Sequence, residues 1–129
     1  MQEYTSGFKL FGHPTRLRII RLLLDAGDEL CVCEIVDVME ESQFNVSRNL
    51  RKLEEGELVR CSRKGKWSMY RINDNLDPFQ LQLLQAVQKI PADYFAGEKR
   101  RLDERLALRI DGACVVGINP PAQEVNEHK

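Results

Sequence analysis

A mainly α-helical fold of the α+β class is predicted for this 129-residue sequence by three observations. Apolar residues recur at helical spacing through most of the chain. Two of these helical stretches are separated only by the short turn Glu40-Glu41-Ser42. Directly after them, two short runs of strand character flank Lys64-Gly65-Lys66, the pattern of a β-hairpin. A helix-turn-helix followed by such a hairpin is a winged helix-turn-helix. The length suits one domain with a modest core, or a protomer that completes its core by dimerising. The expected division is a domain over residues 1–118 and a tail over 119–129.

In chain order, residues 3–11 form a short helix with Tyr4, Phe8 and Phe11 on related faces. Gly12-His13-Pro14 interrupts it, and Pro14 suits the first position of a second helix. There Leu17, Ile20 and Leu24 fall on one stripe, with Arg16 and Arg18 on the other side, and Ala26-Gly27 ends the run. A third helix covers about residues 30–39. Asp28 is its expected N-cap, which puts Cys31 in the first turn, and Ile35, Val38 and Met39 are its buried side. Ser42 caps a fourth helix over residues 43–55, whose buried stripe is Val46, Leu50 and Leu53. Its other face offers Gln43, Asn45, Ser47, Arg48, Asn49 and Lys52. These side chains can hydrogen-bond base edges and phosphates, and they equally suit an ordinary solvated helix surface. Residues 58–63 and 67–72 are the two strands, and the tip between them carries Arg63, Lys64 and Lys66, placed to touch phosphate or the minor groove. Asp77-Pro78 starts another helix with Phe79, Leu83, Val87 and Ile90 on one face, broken at Ile90-Pro91. A last helix over 93–109 presents Phe95, Leu102, Leu106 and Ile110. Asp111-Gly112 is a turn, Cys114 opens the apolar Val115-Val116-Gly117-Ile118, and the polar remainder from Asn119 onward reads as a disordered tail.

Net charge is −1, yet the charges are segregated. Residues 45–72 hold eight basic side chains and three acidic ones. From Asp25 to Glu41 there are seven carboxylates and no Lys or Arg. An acidic segment followed by a basic one suggests a surface that meets phosphate. The first residues have no basic-then-apolar signal pattern, and no run approaches the ~20 apolar residues of a membrane span. A cytoplasmic chain without a membrane partner is expected, in which four cysteines are reduced ligands rather than disulfides. No nucleophile-base pairing, phosphate loop or HExxH pattern points to an enzyme, and no organic cofactor is implied.

The stretch Asp28-Glu29-Leu30-Cys31-Val32-Cys33-Glu34-Ile35-Val36 sets two thiols two residues apart. Within a helix, residues i and i+2 differ by about 200° of rotation, so their side chains leave opposite faces. In extended chain they share a face and chelation becomes easy. The pair therefore suits a helix end that changes shape when metal arrives. A helix N-terminus favours thiolate, while the surrounding carboxylates oppose it. Two other readings stand beside metal binding: buried cysteines acting as small hydrophobes, and a redox pair.

Taken in order, Pro14-Thr15-Arg16-Leu17-Arg18, Glu29-Leu30-Cys31-Val32-Cys33, Ser42-Gln43, Ser47-Arg48-Asn49-Leu50 and Arg63-Lys64-Gly65-Lys66-Trp67-Ser68-Met69-Tyr70-Arg71 resemble successive motifs of the arsenic-responsive ArsR/SmtB repressors. They span about residues 8–72. The resemblance implies a winged-helix homodimer that binds double-stranded operator DNA and releases it when metal binds. It places dimer contacts mainly on the first helix and on residues 79–89. It also implies repression of an arsenic-resistance operon, with As(III) or Sb(III) as the effector. Two departures stand out: the common metal box has a third cysteine where this chain has Val36, and the common Ser-Arg-His-Leu reads Asn49 in its third place. A zinc, cadmium or lead sensor is the rival within the family. Zinc versions carry Asp, His and Glu on the helix corresponding to 79–89, which contains none of these. The histidines are His13, in a helix-cap place, and His128, in the tail.

Sulfur-only donor sets select soft ions, and trivalent arsenic and antimony usually take three thiolates in a pyramid. Since Val36 cannot serve, Cys61 and Cys114 compete for the third place. Cys61 lies mid-strand and reads as a tolerated strand residue. Cys114 sits beyond a turn and can fold back onto the thiol pair of either protomer. The expected ligand set is therefore Cys31, Cys33 and Cys114, the alternative being a two-thiol site completed by water, hydroxide or a methyl group.

Overall fold

The computed structural model describes residues 1–118. Helices α1 (Gln2–Phe11) and α2 (Pro14–Ala26) lead into a short strand β1 (Leu30–Cys31), then α3 (Val32–Met39) and α4 (Gln43–Glu55). The hairpin β2 (Val59–Lys64) and β3 (Trp67–Ile72) follows, then α5 (Pro78–Gln88) and α6 (Ala96–Leu106). The helix-turn-helix and its wing stand where the spacing puts them. The anticipated tail over 119–129, with His128, lies outside the described residues.

The core lies where α2, α3 and α4 meet the root of the hairpin. Ile19, Ile20, Leu30, Ile35, Val38, Val46, Leu50, Leu53 and Leu58 are wholly buried there. Truncating one of these, Leu50 for example, costs about 2–5 kcal/mol through lost transfer energy and the cavity left behind. The α4 stripe Val46, Leu50 and Leu53 is thus buried as its period indicates. The face of α2 differs from expectation: Ile19, Ile20, Leu22 and Leu23 are buried, while Leu17 and Leu24 are only half covered. Helix α2 packs against α1, α3, α4, α5, α6 and β3, so it buries much of its circumference rather than one stripe. Even Arg21 is buried on it, donating to the Val87 and Ile90 carbonyls (3.2 and 2.9 Å) and pairing with Asp25. There the guanidinium places a cation against carbonyls at the C-terminal end of α5, the negative end of the helix dipole.

Three element boundaries are corrected. Asp28 does not cap α3; its carboxylate accepts from the Glu29 amide (2.7 Å). Gly27 closes α2 at φ 68°, and the chain then runs extended, with Leu30 opposite Tyr70 and Cys31 opposite Met69. A third strand thereby joins the hairpin, in the antiparallel order β1-β3-β2, and α3 begins only at Val32. The last helix is shorter than its apolar spacing suggests: residues Ala92–Phe95 form a 3₁₀ turn, and α6 ends at Leu106. Pro91 enters that turn with ψ 138°, which keeps the preceding chain from running on as one helix. Phe8 and Phe11 also part company, Phe11 entering the core and Phe8 staying exposed. No helix among the described residues is long and apolar enough to cross a membrane.

Candidate metal centre and nucleic-acid interface

Cys31 is the N-cap of α3, with extended backbone (φ −72°, ψ 148°), and Cys33 is the second helical residue. The 200° separation therefore does not apply, because one thiol leaves a strand and the other the first turn of a helix. The two Sγ atoms lie 2.7 Å apart. The expectation that helix distortion must bring them together is overturned: the strand pairing of β1 with β3 has already done so. Glu34 completes this turn. Wholly buried, it accepts from the Cys31 amide (2.8 Å) and receives the Arg109 guanidinium on both oxygens (2.8 and 2.7 Å).

Cys114 arrives from the other end of the chain. Asp111 and Gly112, at φ 52° and 76°, reverse the backbone so that Ile110 and Ala113 exchange both hydrogen bonds (3.0 and 2.9 Å). Asp-Gly is a dipeptide suited to two successive positive-φ positions. The Cys114 Sγ then lies 3.6 Å from that of Cys33, and the three sulfurs all lie within 4.8 Å of one another. All three cysteines are buried, packed with Met69, Trp67 and Ile118. Val36, where the family pattern carries a cysteine, is a core residue. Cys61 is exposed on β2, away from this group.

The electrostatics of the site are asymmetric. The Cys31 thiol is lowered to about 6, chiefly because the Cys33 thiol hydrogen-bonds to it. Cys33, the donor of that bond, is pushed up, with burial adding to the effect. Burial also raises Cys114. The group thus gives up a first proton readily and holds the others. Its donors are sulfur alone, since Glu34 is committed to Arg109 and the cap. That suits a soft, three-coordinate ion better than zinc, whose structural sites take four ligands.

The second surface is α4 with the hairpin. Ser42 caps α4 by accepting from the Asn45 amide (3.1 Å). Gln43, Arg48 and Lys52 are exposed, and Asn45 and Ser47 half-buried. Asn45 is held by Glu41 (2.8 Å) and in turn receives Arg48 (3.0 Å). Asn49, expected on this face, is corrected: it is 1% exposed. Its amide donates to the Asn45 carbonyl (2.9 Å), and its oxygen accepts from Arg16 (3.2 Å), so it ties α4 to α2. Asn49 stands three residues after Val46 and four before Leu53, on the same buried face of α4. Arg63, Lys64 and Lys66 are exposed around Gly65, whose φ is 62°. Lys64 is ion-paired with Glu29, two residues before the first thiol. Phe44, which the helical spacing does not single out, is 74% exposed beside the Arg48 guanidinium. An exposed aromatic in the first turn of α4 is a side chain able to meet a thymine methyl.

Residues 13–60 match the model of the bacterial regulatory protein, arsR family. The chain is 40% identical over 78 residues to an uncharacterized HTH-type transcriptional regulator of Methanocaldococcus jannaschii, covering 58% of this chain and 86% of that one. It is 33% identical over 95 residues to the arsenic resistance transcriptional regulator ArsR2 of Pseudomonas putida KT2440, covering 74% of this chain and 82% of the relative. Among solved structures, the AntR antimony-specific transcriptional repressor superposes with a TM-score of 0.57 at 30% identity, over 66% of this chain and 73% of that one.

Proposed function

The chain belongs to the ArsR family of DNA-binding transcriptional repressors, and from that premise we propose that As(III) or Sb(III), held by the Cys31, Cys33 and Cys114 thiolates, releases it from the operator of an arsenic-resistance operon. It is a regulator rather than an enzyme. The observation that carries the proposal is the convergence of three buried sulfurs, with no carboxylate or imidazole among them. Relatives and structural neighbours named for arsenic and antimony support the same effector class.

Binding would proceed by exchange. Each thiol replaces one hydroxyl of arsenous acid, so three sulfur bonds form, three waters leave and no electrons move. Cys31 is the first nucleophile, being the group most easily ionised. Operator contact would come from Gln43, Asn45, Ser47, Arg48 and Lys52 on α4 and from Arg63, Lys64 and Lys66 on the wing. Asn49 would instead position Asn45. The active form would be a cytoplasmic homodimer.

The test is release of a duplex, selected for binding from a random library, followed by fluorescence anisotropy. Arsenite or antimonite should release the wild type, and Cys31→Ser and Cys33→Ser should stay bound. A complex indifferent to both metalloids ends the proposal. One observation favours a second reading: at 2.7 Å the Cys31 and Cys33 sulfurs are close enough for a peroxide-driven switch. Release by peroxide without release by arsenite would select it.

A further inference from the structure

We propose that Arg105 is the positioning residue that delivers the third thiol, and so sets whether this protein responds to three-thiol or two-thiol metalloids. The inference rests on the Cys31–Cys33–Cys114 reading and extends it to a residue outside the ligand set.

Cys31 and Cys33 are placed by the pairing of Cys31 with Met69 and by the Glu34 cap. Cys114 is held by no strand pairing or helix cap. It lies beyond α6, in a segment that forms neither helix nor strand, and the Asp111-Gly112 turn only sets its initial direction. Apart from the packing of Ile118 and Cys114, the side chain that hydrogen-bonds the segment down is Arg105. This arginine is 4% exposed, and one terminal nitrogen donates to both the Val116 and Gly117 carbonyls (2.5 and 2.7 Å). Its Nε donates to Asp37 (2.8 Å) on α3, the helix that carries Cys33. The Val116 carbonyl also lies 3.6 Å from the Sγ atoms of both Cys33 and Cys114. One guanidinium therefore fastens the Cys114 segment to the helix of its partner thiol, through a carbonyl that touches both sulfurs. A planar fork can span the carboxylate and two carbonyls at once, whereas a lysine ammonium is a single point donor.

The consequence is selective. Arsenite binding forms three As–S bonds and releases three waters. Phenylarsonous acid, with two exchangeable hydroxyls, forms two As–S bonds and releases two waters, so Cys31 and Cys33 suffice for it. Neither reaction changes an oxidation state. Arg105 should matter for the first and be silent in the second. A merely structural arginine would affect both.

The experiment titrates arsenite and phenylarsonous acid into the full-length wild type, Cys114→Ser, Arg105→Lys and Arg105→Gln. The readout is the fluorescence of Trp67, the single tryptophan, which packs against the thiol cluster. Both Arg105 variants are expected to lose roughly 10–100-fold in arsenite affinity, the usual cost of removing a group that orients a metal ligand. They should match Cys114→Ser in this, with phenylarsonous acid bound as in the wild type. If Cys114→Ser weakens arsenite binding while both Arg105 variants bind it normally, Arg105 is not the positioning residue and the proposal is overturned. Loss of both metalloids in both Arg105 variants overturns it as well, assigning the arginine to overall folding. If Cys114→Ser itself binds arsenite normally, it is the three-thiol reading that has failed.

Discussion

At the scale of single residues, Cys31 decides how the site answers to pH. Its thiol is lowered to about 6 from an ordinary value of 9.0, because the Cys33 thiol hydrogen-bonds to it. Between those two values the free site carries a thiolate, whereas the three-sulfur complex carries no exchangeable proton. Three departing hydroxyls need three protons, and an ionised Cys31 cannot supply its share. Arsenite binding at about pH 7.5 should therefore take up about one proton from solvent. Affinity should fall by about tenfold per pH unit above 6. Calorimetry in buffers of different ionisation enthalpy measures the uptake directly, and a value of zero would mean that Cys31 is not ionised in the free protein. Glu34 and Asn49 make a complementary point: both are polar, both are buried, and both are satisfied by partners far along the chain.

At the scale of elements, the third strand matters most. Because β1 pairs with β3, the first thiol lies on a strand hydrogen-bonded directly to the wing. The thiols already converge, so a metalloid bound there would cross-link the two segments rather than distort a helix. Amide exchange over 31–35 and 114–117 is expected to slow with arsenite; faster exchange at 31–35 would restore the idea of helix distortion. The Glu29–Lys64 ion pair joins the same strand entry to the wing tip. Lys64→Ala removes one cation that can reach phosphate, so DNA affinity should fall across sequences and the salt slope should flatten by roughly 0.9, one phosphate contact. An unchanged slope in anisotropy titrations would remove Lys64 from the interface.

At the scale of the molecule, α1 and α5 leave an apolar face uncovered. Tyr4 and Phe8 stack edge-on against Phe79 at 5.1 and 5.2 Å. Gly7 permits the close approach, since a Cβ there would sit 2.7 Å from the Phe79 ring. Tyr4, Phe8 and Leu81 nonetheless remain 47%, 59% and 47% exposed. With one reading helix per chain, a two-fold dimer would set two α4 helices about 34 Å apart, one turn of B-DNA. Phe8→Asp is expected to sediment as a monomer and to lose operator affinity. Because all three thiols come from one chain, that monomer should still bind arsenite. A dimeric Phe8→Asp would place the interface elsewhere.

Local spacing made much of this legible. The α4 stripe, the Ser42 cap, the Lys64-Gly65-Lys66 turn and the Asp77-Pro78 start depend on neighbours within a few positions, and they stand in the structure where the sequence puts them. The pairing of Cys31 and Cys33 as candidates was legible for the same reason. What only the tertiary structure decided involves partners far apart in sequence. Cys33 meets Cys114 across 81 positions, Arg109 meets Glu34 across 75, and Arg105 meets Asp37 across 68. The conversion of Leu30–Cys31 from helix start to strand belongs with them, since β3 supplied the hydrogen bonds that outweighed a good N-cap at Asp28. Periodicity and capping are short-range signals. Which buried groups face each other is settled by packing, where each polar group taken from water must find a partner wherever the fold provides one.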